Sequence, residues 1–344
     1  MNTLDIALKA FDKHRATHCL GHYTGIVTVH GLCRITEGTG NSSVMESALQ
    51  TVRDFQSRVI TVEWCNYENY RCGGNGAAWL FWKGLMPEAE SQIRQYAEQL
   101  LHEAPKSEEG LVVHPKIEPR NRVFIDQVFA ICPFLTFAGR ALNEETYLRE
   151  AARQCIGIVD LLLDESCGLL NQSINFRQEG KKSDDHWSRG NGWGIYALAE
   201  LACYLPDSAD REACISRFRD LVAACLKVQD ADGMWHQEMT RDDSYVETSG
   251  TGLILYAIGL GLEHGLFGDA ERKAFIKGLN GYLTYNALDG SVHHTCRGCL
   301  APGQGTIDDY MNTPAVLNDP HAFGPVALAL GQAHRLGITT LSFT

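Results

Sequence analysis

The sequence predicts an all-α fold, an α/α barrel of about six helical hairpins, and two observations carry that expectation. Stretches apolar on every face alternate along the chain with stretches that keep one apolar stripe opposite a charged face, and no convincing sheet pattern interrupts them. Two concentric rings would produce this alternation, since inner helices pack on both sides and outer helices on one.

Taken in order, Thr3 to His14 reads as a moderately amphipathic helix. A Gly/Thr-rich region with a β-like run, Ile26 to Val29, follows, and Glu46 to Val59 reads as the next helix. From Thr61 the segment TVEWCNYENYRCGGNGAAWLFWKG is a polar aromatic loop running into an apolar helix near Ala77, with Glu68, Asn69 and Asn75 set among glycines. Glu88 to His102 is an outer-type helix. Val123 to Gly139, VFIDQVFAICPFLTFAG, is apolar on every face apart from Asp126 and Gln127, the mark of a buried helix, and Pro133 is expected to kink it. Trp193 to Tyr204, Thr251 to Leu262 and Gly324 to Ala333 are inner-type, whereas Ala213 to Val228 and Ala270 to Tyr285 are outer-type. Roughly eleven helical segments fit one undivided domain over residues 1–344.

With 44% hydrophobic and 21% charged residues the composition is that of an ordinary globular protein. The formal net charge of −12 argues against a nucleic-acid partner, and no stripe of Lys and Arg offsets it. The uncharged runs are too short to span a bilayer, so no membrane is expected either. The 12 cysteines are scattered through apolar helical stretches and read as free, mostly buried thiols; with no signal peptide in MNTLDIALKAFDKHRATHCLGHY, a cytoplasmic location is expected.

The densest chemistry lies in SDDHWSRGNGWGIYALAEL, Ser183 to Leu201. Trp187 or Trp193 offers a flat apolar face for a sugar ring, and Arg189 a forked donor for an anionic group. The same residues would equally serve as a buried Trp pair closing a helix N-terminus, with Arg189 capping carbonyls. Asp126 is a carboxylate inside an apolar run, where desolvation raises the pKa and makes a proton donor available near neutral pH; pairing with a neighbouring helix is the structural alternative. The loop Glu68 to Asn75, GMWHQ (Gly233 to Gln237), VETSGTG (Val246 to Gly252) and LNDPHAFGP (Leu317 to Pro325) add polar residues at further loop-to-inner-helix junctions. Converging on one rim, they would make a pocket suited to carbohydrate. HHTCRGC, His293 to Cys299, holds a CxxC but lacks a second ligand pair, so it reads as a Cys-containing loop. Nucleotide-binding and GxSxG patterns are absent.

On these motifs the chain resembles the unsaturated uronyl hydrolases, glycoside hydrolase families 88 and 105. The matching pieces are FIDQVFAICPFL (Phe124 to Leu135), SDDHWSRGNGWGIYALAEL, GMWHQ, ETSGTGLILYAI (Glu247 to Ile258) and NDPHAFGPVALAL (Asn318 to Leu330), in the family's order over roughly the last two thirds of the chain. The resemblance implies an (α/α)6 barrel that removes a terminal 4,5-unsaturated uronic acid from lyase-generated oligosaccharides, with no metal or other cofactor. It implies that Asp126 is the catalytic residue, donating a proton to C4 and activating water for attack at C5, and that Arg189 and Trp193 hold the uronate and pack the sugar ring. The candidates for substrate binding are Glu68, Asn69, Phe124, Gln172, Asn175, His186, Trp187, Arg189, Asn191, Trp193, His236, Gln237, Thr248, Ser249 and His321. Where pectin-type members read a His/Asp pair in a segment like YHAYD, this chain has LLNQSIN, placing Gln172 and Asn175 there; a second family aspartate is replaced near the first loop by Glu68 or Asn69. Two alternatives stand beside this expectation. One is a hydrolase of saturated uronides pairing Asp126 with Glu68, Asp185 or Glu247, and the other a non-catalytic sugar-binding barrel, in which Asp126 would not face a pocket. The expected partner is an oligosaccharide, and the oligomeric state is left between monomer and homodimer.

Overall fold

In the computed structural model, which describes residues 2–62, 67–119 and 121–341, the chain runs as six successive hairpins, each an outer helix followed by an inner one. They are α1 (Thr3–Thr17) with α2 (Tyr23–Thr39), α3 (Ser42–Gln56) with α4 (Gly74–Trp82), and α5 (Glu90–His102) with α6 (Asp126–Leu142). Then come α7 (Glu145–Leu162) with α8 (Ser188–Tyr204), and α9 (Ala209–Lys227) with α10 (Thr248–Glu263). In the last hairpin α11 (Asp269–Leu283) leads through the short α12 (Ile307–Met311) to α13 (Phe323–Arg335). The inner helices pack in the order α2, α4, α6, α8, α10, α13 and back onto α2, which closes the ring. The fold is the expected (α/α)6 barrel.

Residue patterning accounts for the two layers. In α10 every residue from Thr248 to Gly261 is buried, as a helix flanked on both sides requires. In α7 only one side is buried, with Tyr147, Ala151, Cys155, Ile158 and Leu162, while Arg149, Arg153 and Asp160 face water. Ring closure depends on a close approach of α2 to α13: a Cβ on Gly31 would stand 2.7 Å from the Cβ of Ala327. The chain ends are joined at the same seam, where the Thr3 amide donates to Thr339 O (3.1 Å) and its hydroxyl to Ile338 O (2.9 Å).

One expectation changes. The β-like run Ile26 to Val29 lies inside α2, where residues 24 to 36 are all buried; burial of the whole helix outweighs the strand preference of Val, Ile and Thr. Pro133 does not break α6, which runs on to Leu142. A proline cannot supply the N–H that the carbonyl of Phe129 would accept. The side-chain amide of Asn75 donates to Phe129 O instead (2.9 Å), and that of Asn69 donates to the adjoining Ala130 O (2.9 Å).

Apart from isolated bridges, extended structure among the described residues consists of three two-residue antiparallel ladders, all in loops entering inner helices. Val123–Phe124 pairs with Ser173–Ile174, Leu163–Asp164 with Leu169–Leu170, and Thr295–Cys296 with Ala315–Val316. No described helix is long and apolar enough to cross a membrane. The eleven described cysteines are all free, most of them buried.

Candidate active site

The segments entering α2, α4, α6 and α13 converge on a pocket of about 220 Å³ lined by Tyr23, Tyr67, Tyr70, His114, Asp126, Gln127, Phe129 and Gly298 to Leu300. Asp126 is the first residue of α6 and faces this space. It keeps some accessible surface where it opens on the pocket, yet it lies deep enough that burial pushes its carboxyl up to about 6; the positive charge of Arg189 and the Gln172 amide pull the other way.

A strand ladder brings Gln172 to Asp126. Phe124 pairs with Ser173, and the Ile125 amide donates to Gln172 O (2.9 Å), so the residue before the ladder and the residue after it lie side by side. Gln172 Nε2 stands 3.5 Å from Asp126 Oδ2 and 3.3 Å from Cys299 O. Its Oε1 accepts from the Tyr310 hydroxyl (2.6 Å) and the Ala301 amide (2.8 Å). Asp185 supports the same residue from behind, accepting from the amides of Gln172 and Trp187 and from the Ser183 hydroxyl.

On the opposite wall Tyr23, His321 and Asp319 form a chain. Asp319 accepts at His321 Nδ1 (2.5 Å), so Nδ1 carries the hydrogen and Nε2 accepts from the Tyr23 hydroxyl. Burial, with Arg189 nearby, pulls the His321 imidazole down to about 4, and Asp319 only partly offsets this. The ring is neutral at neutral pH, and Tyr23 is left with its oxygen lone pairs free to accept. Gly298 presses against this histidine, where a Cβ would come within 2.9 Å of its Cε1.

Arg189 is enclosed rather than displayed. Its Nη1 donates to Cys296 O (2.7 Å) and Ser249 Oγ (3.0 Å), and its Nη2 to Arg297 O (3.3 Å). It lies over the Trp187 ring with its guanidinium carbon 4.5 Å from the centroid. Of the two roles open to it in sequence, capping carbonyls is the one seen. It clamps the segment whose next residues, Gly298 to Leu300, wall the pocket, and it adds positive potential there. Trp193 is likewise buried, stacked at 4.1 Å on Phe129, so Phe129 presents the flat face to the pocket and Trp193 backs it.

The remaining candidates scatter. Glu68 is ion-paired with Arg71 (2.5 Å) in a separate outer groove beside Phe55 and Tyr96. Phe124 is fully buried in its ladder. Asn175, at φ +63°, closes a turn by donating to Asn121 O and accepting from the Gly180 amide. Asn191 binds both the amide and the carbonyl of Leu170, and Gln237 donates to Tyr310 O. His236 stands 3.4 Å from Asp230, and His186 is held among Asp164, Cys167 and Glu238. Thr248 bonds Thr295 and His293 O, while Ser249 bonds Glu247 and Arg189. Glu68 apart, these side chains are engaged within the loops that enter the inner helices. Glu247 is also committed, accepting from Ser249 N, Gly250 N, Cys296 N and the Ser188 hydroxyl. HHTCRGC contributes no metal-ligand cluster among the described residues.

Sequence reading passed over Tyr23, Tyr67, Tyr70, His114, Phe129 and Cys299. For the tyrosines a signal existed. Residues 68 to 72 form a 3₁₀ turn with three residues per turn, so Tyr67 and Tyr70 share the inner side while Glu68 and Arg71 share the outer.

Fold and pocket together place the chain among the α/α-barrel carbohydrate enzymes. More narrowly, the profile of Glycosyl Hydrolase Family 88 matches residues 7–336, and the chain belongs to that family. It is 28% identical over 170 residues to the unsaturated rhamnogalacturonyl hydrolase of Bacillus subtilis, a match covering 48% of this chain and about half (49%) of the relative. It is 25% identical over 336 residues to the unsaturated glucuronyl hydrolase of Bacillus sp. (strain GL1), covering 86% of this chain and 84% of the relative. Among solved structures, a family 105 glycoside hydrolase from C. acetobutylicum superposes with a TM-score of 0.79 at 22% identity, covering 95% of this chain and 99% of that one.

Proposed function

We propose that this protein removes a terminal 4,5-unsaturated uronic acid from oligosaccharides by hydrating the C4=C5 bond. The observation that carries the reading is Asp126: a carboxyl raised to about 6, facing a pocket of aromatic rings and hydroxyls, with an amide fixed beside it. Protonated, it gives its proton to C4; as carboxylate, it takes a proton from the water whose oxygen bonds C5, and is thereby restored. The C5 hemiketal opens, and C1 collapses to an aldehyde as the aglycone leaves with a proton. A pKa near 6 suits a group that must give and regain a proton near neutral pH.

The other candidates for a second carboxylate are engaged elsewhere: Glu68 with Arg71, Asp185 with Gln172 and Ser183, Glu247 at the head of α10. That favours one-carboxylate hydration over two-carboxylate hydrolysis of saturated uronides. The uronate would lie within the positive potential of Arg189, which also acts on Asp126 and Tyr23. The free thiols suit a reducing, cytoplasmic setting. The test is the ultraviolet absorbance of the conjugated uronate during incubation with unsaturated disaccharides. Its loss with wild type and persistence with Asp126→Asn is the expected result; release of uronate from saturated glycosides alone would sink the reading.

A further inference from the structure

Behind the wall that carries Gln172, three side chains of different chemistry meet. Asp164 Oδ2 and Cys167 Sγ lie 3.0 Å and 3.3 Å from His186 Nε2, and all three ligand atoms fall within 4.8 Å of one another. Donors placed tetrahedrally around a zinc ion at its usual bond lengths stand about 3.5 Å apart, so small shifts would seat an ion among them.

Each ligand is already aimed. The Asp164 Oδ1 is occupied by the amide (2.9 Å) and hydroxyl (2.7 Å) of Ser166, which leaves Oδ2 to the cluster. Asp164 and Cys167 sit at the two ends of a tight turn whose Cys167 and Gly168 amides both donate to Asp164 O, so both side chains leave from one side. On His186, Nδ1 is buried without a hydrogen-bond partner and faces Glu238 Oε1 at 3.6 Å, while Nε2 faces Asp164 and Cys167. A carboxylate behind one ring nitrogen and two further ligand atoms before the other is the arrangement of a metal-bound histidine. Glu238 is itself fixed by the His186 amide and the Thr240 hydroxyl.

We propose that Asp164, Cys167 and His186 form a zinc site, with solvent as the fourth ligand and Glu238 orienting the histidine. One thiolate, one imidazole and one carboxylate make a borderline-soft set suited to a tetrahedral ion. Asp164 is 30% exposed and Cys167 partly so, which gives the ion a way in. On binding, the Cys167 thiol loses its proton to solvent as the sulfur–metal bond forms. The ion would tie the turn after α7 to His186, two residues before α8. Between those points the chain carries Gln172, and Asp185, which holds the Gln172 amide, precedes His186 directly.

The test uses the full-length protein, stripped with a chelator and then titrated with Co²⁺ or with Zn²⁺ against a chromophoric competitor. The expected result is one equivalent bound, a thiolate-to-cobalt charge-transfer band and a melting temperature raised by zinc. Cys167→Ser and Asp164→Asn should melt near wild type without metal but lose the zinc-dependent rise, and Cys167→Ser should lose the band. Glu238→Gln should weaken zinc binding about 10–100-fold, and Cys19→Ser, at an exposed thiol, should change nothing. Absence of a thiolate band, or a band that survives Cys167→Ser, overturns the proposal, whatever the enzyme does to a uronide.

Discussion

The side-chain amide of Gln172 meets Asp126 in one orientation only. Tyr310 and Ala301 both donate to its oxygen, at 2.6 Å and 2.8 Å, so its NH₂ must point at the carboxylate. That contact favours the charged form of Asp126 and opposes the effect of burial.

Proton donation to C4 requires the acid form, so kcat/KM is expected to fall as pH rises through about 6. In Gln172→Leu the contact that stabilises the carboxylate is lost, and this descending limb should move to higher pH. A pH profile of disaccharide hydration decides it; an unmoved limb with a lower plateau would show that Gln172 acts on the substrate instead.

Asp126→Asn should abolish activity and stabilise the fold. Between its ordinary value of 3.8 and about 6, native Asp126 holds a proton that the unfolded chain has lost, so stability declines as pH rises across that window, and the full cost remains above it. Asparagine carries no such cost. Melting at pH 7 should show a gain on the order of 1–3 kcal/mol that vanishes at pH 4 and below.

Asn75→Ala leaves the Phe129 carbonyl without the donor that replaces the missing Pro133 N–H. A loss of about 1–3 kcal/mol in denaturant unfolding is expected, together with a higher KM, because Phe129 is also a pocket wall. Asn75→Asp, which keeps the shape without the donor, should behave similarly.

Arg189→Lys keeps the charge but cannot span Ser249, Cys296 and Arg297 at once. Destabilisation of about 2–4 kcal/mol and a kcat/KM reduced at least tenfold are expected, the second because Gly298 to Leu300 lose their anchor. Normal kinetics in a folded Arg189→Lys would show that the clamp is dispensable.

Glu68→Ala should cost no more than about 0.5 kcal/mol and leave turnover intact, since its pairing with Arg71 is exposed and faces away from the pocket. A large rise in KM would return it to the site.

The layered architecture was legible because burial on both sides or on one leaves its mark on each helix separately, as α10 and α9 show. The count of roughly eleven segments fell short of the twelve ring helices partly because α2 is rich in residues that favour strands, and only its neighbours decide its form. Asp126 stood out as an acid in an apolar run, a property of its own segment. What Arg189 does could not be read locally: its partners at Ser249, Cys296 and Arg297 are brought to it by the closing of other hairpins. Asn69 was read as a candidate for sugar, and its side-chain amide donates to a carbonyl 61 residues away, a contact its own segment gives no sign of.

The seam between α13 and α2 ties the order of synthesis to the order of folding. Helix α2 is among the first parts of the barrel to be made, and the surface that covers one of its flanks is the last. Until α13 arrives, that flank is exposed, and neighbouring hairpins can only stack into an open arc. A chain cut off before Phe323 should therefore remain sensitive to protease at α1 and α2, and adding the missing helix as a separate peptide should protect them.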